Sequence, residues 1–336
     1  DKIGGSMWML LVFLLGAEEI IHGLKVGTAG AKFLDIPVGA RPAALCGAYV
    51  SLGDDPISCF WNPALVARIP EGMGFEVSYT NYMVGIKHFG LSFAQNLGKG
   101  RYTRYFYVCG LHSGDMDVTT VDQPWGTGEK FYYYGLAYGV GVAKWLTDRF
   151  IFGMNGKIIT EGVSYKVGSW WTPSFDFGVF YQTAFKDLRL GAVMRNFGPQ
   201  SRPGGKFIVE EEGETVYTDT IAVQRKYRPY PVFMDFRVGL SMKVLEGKGY
   251  NLTGAVELIH PNDNRERVCI GFEFNMNDMV FLRLGTVRNL NGTSFDDERL
   301  GSFGVGIRYG AFQFDYSYSD RGLLPDVQRI SIGYKF

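Results

Sequence analysis

Hydrophobic and polar residues alternate with a period of two along most of this chain after residue 70. In the clearest segment, Val232–Val244, every even position is apolar, and the odd positions from Asp235 to Lys243 are charged or small. A period of two places successive side chains on opposite faces of a β-strand. The pattern therefore predicts long strands, each with one apolar face and one polar face.

Segments of this kind follow one another to the end of the chain. We place fourteen strands near residues 74–82, 85–96, 102–112, 131–145, 149–161, 174–186, 188–197, 231–245, 249–260, 266–276, 279–289, 300–310, 311–319 and 327–336. Many of them run roughly 9 to 13 residues. Strands of soluble proteins average about 5 or 6 residues, whereas a tilted strand needs about 9 to 11 to cross a bilayer.

The connections alternate between tight turns, such as 246–248 and 277–278, and longer polar segments, such as 113–130 and 198–230. Short periplasmic turns that alternate with longer outer loops are typical of outer-membrane barrels. A soluble β-sandwich shares the period of two but not the strand length or this loop order. We predict an all-β protein, a transmembrane antiparallel up-and-down barrel of about 14 strands in the outer membrane of a diderm bacterium.

The polar face of such strands points into the lumen, because the apolar face meets lipid. This face carries charges of both signs, which predict either a wet, ion-paired interior or polar contacts to a plug. The lumen-facing charges are Glu76, Asp176, Arg189, Arg195, Asp235, Arg237, Glu257, Arg267, Glu273, Arg283, Arg308 and Asp315.

The final strand ends in aromatic residues, with Tyr334 two positions before Phe336. This ending resembles the terminal signal that the barrel-assembly machinery of diderm bacteria recognises. We therefore expect that machinery, together with outer-membrane lipid, among the partners of this chain.

The stretch Ala29–Ala67 does not alternate. It is rich in alanine and other small residues and has proline at positions 37, 42, 56 and 63. We predict a compact, mostly helical plug in the lumen, on its periplasmic side, with a short helix at Ala43–Leu52 that the Asp-Asp-Pro sequence ends. The plug and gating candidates are Arg41, Asp54, Asp55, Trp61, Asn62 and Pro63. They are either latch contacts displaced when cargo passes or fixed contacts that specify the fold.

The N-terminus carries an uninterrupted apolar run, Met7–Leu15, which is too short to span a bilayer. It is typical of the hydrophobic region of a secretory signal peptide, and a mature N-terminal helix is the alternative. We divide the chain into a signal peptide or upstream residue at 1–23, a plug at 24–70 and a barrel at 71–336.

Charge and motif content exclude several classes of protein. The 34 basic and 34 acidic residues cancel, so no basic footprint for nucleic acid exists. The four histidines and four cysteines lack metal-ligand spacing, and no G-x-S-x-G motif occurs. We expect no catalytic residue, no metal and no cofactor. His112 and His260 near strand ends are the only basis for the alternative of a barrel hydrolase, and Cys46 and Cys59 are either bridged or free thiols.

The plug carries a family resemblance. The sequence AGAKFLDIPVGAR at 29–41, the sequence AALCGAYVSLGDD at 43–55 and the Trp-Asn-Pro-Ala sequence at 61–64 resemble the N-terminal region of the PorV/PorQ family of FadL-like outer-membrane proteins. Cys46 departs from that pattern, which has glycine there. The resemblance implies a part in type IX-like protein secretion or surface attachment, with an exported protein or secretion components as partners. The FadL-like alternative is passive transport of small hydrophobic molecules.

Overall fold

The computed structural model describes residues 26–97, 101–164, 168–185, 187–204, 206–211, 221–290 and 301–336, with the backbone alone at 206–211 and 221–225. The predicted signal peptide at 1–23 lies outside the described residues. The strands are β1 (Gly72–Asn81), β2 (Lys87–Leu97), β3 (Tyr102–His112), β4 (Met116–Asp117), β5 (Lys130–Phe131), β6 (Tyr133–Trp145), β7 (Phe150–Val163), β8 (Gly168–Gln182), β9 (Arg189–Phe197), β10 (Lys206–Glu211), β11 (Ile221–Lys226), β12 (Asp235–Gly247), β13 (Tyr250–Pro261), β14 (Arg267–Met276), β15 (Val280–Asn289), β16 (Gly301–Tyr309), β17 (Phe312–Arg321) and β18 (Leu324–Lys335).

Fourteen of these described strands form one closed barrel. Each pairs antiparallel with its neighbours in the chain, apart from the two small hairpins β4–β5 and β10–β11, which lie outside the barrel sheet. The first and last strands complete the closure, with Gly74 opposite Lys335. Closure leaves no strand edge unpaired inside lipid. The predicted fold class is confirmed.

The side chains of the wall are arranged as the alternation predicts. In β12, Asp235 and Arg237 are buried, whereas Phe236 and Val238 are exposed. An exposed apolar face around a buried polar one is the reverse of a soluble protein and is the arrangement of a membrane barrel. Val232 is an exception to the predicted strand, because β12 begins only at Asp235 and Val232 is buried in an isolated bridge with Gly30.

The two ends of the barrel differ in the length of their connections. At one end lie tight turns and both barrel termini, and at the other lie the longer segments, including 113–132 and 198–234. We take the short-turn end as periplasmic, in line with outer-membrane barrels generally. The long segments contain the hairpins β4–β5 and β10–β11, where the sequence pattern predicts only polar connections. The short connection at 83–84 forms a 3₁₀ turn, Met83–Gly85.

The plug runs the length of the lumen. It enters at the long-loop end, where Gly30 pairs with Val232 and the Lys32 amino group lies 3.0 Å from the Asp263 carboxylate. It leaves at the periplasmic end, where β1 begins. The expectation of a plug confined to the periplasmic side is therefore wrong. Among the described residues, no helix is long and apolar enough to cross a bilayer.

The regular structure of the plug is short. It consists of helix α1 (Ala40–Ala44) and the 3₁₀ turns Lys32–Asp35, Pro56–Phe60 and Pro63–Arg68. The predicted helix Ala43–Leu52 is wrong, because Cys46 and Gly47 have φ angles of 53° and 89°, which end helical geometry two residues after α1. Irregular backbone at this depth is tolerated because the barrel, rather than lipid, surrounds it.

Candidate functional site

The site of interest is the interface between plug and wall, and Arg41 of α1 lies at its centre. The Arg41 guanidinium donates from Nε and Nη2 to the two carboxylate oxygens of Glu273 on β14, both at 2.8 Å. Its Nη1 donates to Asp54 and Asp55 of the plug. Glu273 in turn accepts from Arg283 Nε on β15 at 2.7 Å. The buried Arg41 guanidinium thus joins two plug carboxylates to the wall. Each of the three carboxylates that it contacts has a cationic partner.

Electrostatics within the plug favour the charged state of this cluster. Burial alone would raise the pKa of the Asp54 carboxyl, but the guanidinium groups of Arg41 and Arg68 outweigh burial and hold that pKa well below its usual value. Burial raises the pKa of Tyr49 well above its usual value, so its hydroxyl keeps its proton and donates to Asp55. Burial lowers the pKa of Arg68 to about 10, which leaves it charged at neutral pH. Asp54 and Arg68 are therefore both charged at neutral pH.

A second buried network surrounds Trp61. Arg195 on β9 donates from Nε to Asp235 at 2.8 Å, Arg237 donates to the same carboxylate at 2.8 Å, and Arg237 also pairs with Glu257 at 3.2 Å. The guanidinium carbons of Arg237 and Arg195 lie 5.2 and 5.8 Å from the Trp61 ring centroid. The indole therefore contacts two lumenal cations by cation–π attraction.

The wall also binds the plug backbone in this network. Glu257 Oε2 accepts from the backbone N–H groups of Tyr49 and Val50, both at 2.8 Å, and the Trp61 Nε1–H donates to the carbonyl of Val38 at 2.9 Å. The two Glu257 bonds join the wall to the irregular plug backbone, and the indole bond is made within the plug itself.

Asn62 connects three segments of chain. Its amide Nδ2 donates to the carbonyls of Val50 and of Val179 on β8, at 2.8 and 3.0 Å. Its Oδ1 accepts from the Ala64 N–H at 3.0 Å and so caps the turn Pro63–Arg68. Pro63 begins that turn, at a position whose N–H would have no helical partner. The Asn-Pro sequence thus anchors the periplasmic half of the plug to the wall.

Glycines of the wall allow the plug backbone to approach closely. A Cβ atom at Gly191 would lie 2.2 Å from the Val50 carbonyl oxygen, and one at Gly285 would lie 2.4 Å from the Leu45 carbonyl carbon. Neither contact is possible for a residue with a side chain unless the backbone moves. The high glycine content of the sequence, 45 residues, is used here for plug packing as well as for strands.

A small cavity remains between the plug and the wall. It measures about 30 Å³, and its plug side is mainly apolar, with Leu34, Ile36, Val38, Phe60 and Trp61 beside the carboxylate of Asp35. That volume suits a single water molecule, whereas a cavity of about 150 Å³ is of the size that binds benzene. The described plug therefore leaves no room at this place for a hydrocarbon.

The wall is irregular beside this cavity. The pairing of β8 with β9 shifts register between Phe175 and Phe177, and Asn196 opposite has a left-handed φ of 61°. The Asp176 carboxylate at the shift accepts from Lys157 Nζ at 2.7 Å and from the Asn196 N–H at 2.6 Å. A buried ion pair thus closes the bulge, and all three polar residues line the cavity.

The remaining residues predicted to face the lumen also lie on the inner face of the wall. Arg283 reaches Asp315 on β17, and Arg267 lies 3.3 Å from Asp35 of the plug. Arg189 pairs with Asp187 near the periplasmic turn, and Arg308 donates to the Gln313 amide oxygen. Glu76 is fully buried.

The aromatic residues of the predicted assembly signal lie at the barrel closure. Tyr334 packs against Phe312 and Phe336, with ring centroids 4.6 and 4.7 Å away. Their role as an assembly signal stays a prediction.

Sequence reasoning missed several wall residues of the site, Lys157 and Glu161 among them. Both lie on the inward face of β7, so the period of two would have identified them. Glu161 accepts from the Ala31 N–H at 3.0 Å and from the hydroxyls of Tyr133 and Tyr230. The four cysteines are free buried thiols, which decides between the two alternatives for Cys46 and Cys59.

The closed, outwardly apolar barrel and its lumen-filling segment define an outer-membrane β-barrel with an internal plug. No protein-family model and no curated protein matches the sequence. Solved structures do match it. The CymD monoaromatic hydrocarbon channel superposes with a TM-score of 0.60 at 12% identity, over 90% of this chain and 98% of that one. The toluene transporter TbuX of Ralstonia pickettii gives 0.57 at 13% identity, over 89% and 98%.

A FadL homologue of Pseudomonas aeruginosa gives a TM-score of 0.55 at 11% identity, over 90% of this chain and 99% of that one. At identities this low, the structural similarity establishes only the fold, which this chain shares with the FadL-like barrels. Fold does not by itself fix function. The neighbours named here are channels or transporters and a FadL homologue rather than enzymes. The fold that the FadL-like resemblance implies is thereby supported, whereas none of these comparisons supports the PorV/PorQ part of the resemblance.

Proposed function

We propose that this chain is a non-catalytic channel that carries small hydrophobic molecules across the outer membrane. The observation that carries the proposal is the cavity between plug and wall at the bulge between β8 and β9, whose plug side is formed mainly by apolar side chains. A protein-secretion partner would need a wide open lumen, whereas the described plug spans the lumen and is bonded to the wall along its length. The fold shared with hydrocarbon channels agrees with a small hydrophobic cargo.

In this proposal the described arrangement is the closed state. Cargo needs a larger space than about 30 Å³, so Trp61 and its neighbours have to move away from the wall. The bulge at Asp176 is the proposed lateral exit, because it is a place next to the cavity where the strand ladder is already interrupted. A molecule that leaves there enters the lipid without crossing the periplasmic half of the plug.

A disulfide between plug and wall tests whether the plug must move. An ideal Cβ at Gly90 of β2 lies 3.6 Å from the Cβ of Val38, within the range of a disulfide. The double variant Val38→Cys/Gly90→Cys is made in a background with the four native cysteines changed to alanine. We expect oxidised cells to take up radiolabelled toluene several-fold more slowly than the same cells after reduction.

The matched control is a disulfide within the wall, Gln313→Cys/Gly333→Cys, whose Cβ atoms are also 3.6 Å apart. It should leave uptake unchanged in either redox state, with equal amounts of folded barrel in the membrane. Uptake that is equal in the locked and the reduced plug variant would refute a plug that moves. Absence of uptake above that of cells without the protein would refute the channel itself.

The secretion role rests on the N-terminal sequence resemblance alone. Affinity purification of the intact protein from its native membranes separates the two roles. Recovery of secretion components or of an exported protein in stoichiometric amount would favour secretion. Co-purification of a hydrophobic small molecule without a protein partner agrees with the channel.

A further inference from the structure

The lipid-facing side of the wall has a groove that the proposed transport does not use. It lies over β2, β3, β6, β7 and β8 and has a volume of about 530 Å³. One row of paired residues crosses it: Phe93, Phe106, Val140, Gly156 and Phe175. Four of these are apolar side chains, and the fifth is a glycine.

Gly156 forms the depression. A Cβ atom at that position would meet only the Phe175 ring, at 3.4 Å, so the space above the glycine is open. Phe106 and Phe175 lie on either side of the depression and form its walls, and the Phe93 ring stacks on Phe106 with centroids 5.4 Å apart. The depression therefore has rigid aromatic sides and an apolar floor, which suits a single hydrocarbon chain.

A cation lies at the periplasmic end of the groove. Arg104 is part of the groove lining, points outward, and is exposed. Its Nε and Nη2 donate to the Gln95 amide oxygen at 2.9 and 2.7 Å, and the described residues place no carboxylate within ion-pair distance of it. One row closer to the periplasm, Tyr102 pairs with the exposed Lys144. A lipid-facing charge is tolerated best near the membrane surface, where anionic headgroups lie.

We propose that this groove binds one phospholipid of the periplasmic leaflet, with its phosphate on Arg104 and one acyl chain in the depression over Gly156. The arginine has three N–H donors left after the bonds to Gln95, and phosphate oxygens are suitable acceptors for them. Tyr102 and Lys144 lie at the depth of the headgroup. None of the described plug residues lines this groove.

The test is native mass spectrometry of the intact barrel, released from detergent and titrated with palmitoyl-oleoyl-phosphatidylglycerol. We expect the wild type to retain one lipid. Arg104→Gln should weaken binding about fivefold, as expected for the loss of one cation at an anionic headgroup. Gly156→Leu should weaken it at least as much, because its side chain fills the depression.

Two matched variants are controls. Arg288→Gln removes an outward-facing arginine at the long-loop end of β15. Gly254→Leu adds a side chain to the outer face of β13. Neither strand lines the groove. Both should bind the lipid as the wild type does. A diacylglycerol with the same chains lacks the phosphate. Its affinity for the wild type should therefore be no higher than the affinity of phosphatidylglycerol for Arg104→Gln.

Three results would overturn the proposal. The first is equal lipid retention by Arg104→Gln, Gly156→Leu and the wild type. The second is equal binding of diacylglycerol and phosphatidylglycerol to the wild type. The third is displacement of the lipid by toluene, which would make the groove part of a cargo path instead.

Discussion

Arg41 and Glu273 are 232 positions apart in the chain, and their side chains form a two-point ion pair with both bonds at 2.8 Å inside the barrel. The pair connects the only α-helix of the described plug to β14. Arg41 also compensates Asp54 and Asp55, so one guanidinium serves three carboxylates. The stability of the closed state should therefore depend strongly on this side chain.

Arg41→Met should destabilise the protein by about 3–5 kcal/mol, because it leaves buried carboxylates without their cation. The measurement is equilibrium unfolding of the barrel in lipid vesicles. Arg101→Met is the control, since its ion pair with Asp148 is exposed on both sides, and its loss should cost about 0–1 kcal/mol. Equal effects of the two variants would contradict a central role for Arg41.

Acidification should loosen the plug only at low pH. The pKa of Asp54 is lowered in the folded state, since Arg41 and Arg68 outweigh the effect of burial. The unfolded chain therefore binds more protons than the folded one, and the stability due to Asp54 is present above about pH 4 and lost as the pH falls further. Protease resistance of the plug should stay constant from pH 8 to about 5 and then decline.

Asp54→Asn is the comparison for that experiment. Its side chain cannot titrate, so the difference between variant and wild type should shrink as the pH falls below about 4. A difference that grows on acidification would show that the sign of this linkage is wrong.

Asn62→Ala should cost about 1–3 kcal/mol of stability, because it leaves two buried carbonyls and the Ala64 N–H without a side-chain partner. The affected carbonyls belong to Val50 and Val179, so the plug should separate from β8 first. Hydrogen exchange of the turn Pro63–Arg68 measures this. Asn81→Ala, at the exposed end of β1, should leave the exchange unchanged, and an equal response of both variants would contradict the anchoring role.

Trp61→Ala should enlarge the cavity beside β9 and cost about 3–5 kcal/mol. If transport uses this cavity, uptake of toluene should rise at the same time, because the largest apolar side chain at the cavity has been removed. Trp125→Ala is the control, since that indole is fully exposed in the 113–132 segment, and its change should stay within about 0.5 kcal/mol. A stable Trp61→Ala variant with unchanged uptake would exclude the cavity from the route.

The wall could be predicted from the sequence because each strand carries its own signal. Phe236 and Arg237 show the reason: neighbouring residues point to opposite faces, so membrane-facing and lumen-facing positions follow from local order alone. The fourteen strands were placed with ends in error by a few residues. The larger errors are at β8, which begins at Gly168 instead of 174, and at β12, where Val232 bridges to Gly30 instead of extending the strand.

The plug depended on tertiary structure. Its sequence indicated a compact segment of small residues and named Arg41, Asp54, Asp55, Trp61 and Asn62 as its polar or aromatic contacts, but it gave neither their partners nor the path of the chain. Helix α1 ends where Cys46 and Gly47 adopt left-handed geometry to bring Leu45 and Val50 against wall glycines. Such contacts join residues more than a hundred positions apart. Local periodicity cannot encode them, because only the closed barrel brings the wall around the plug.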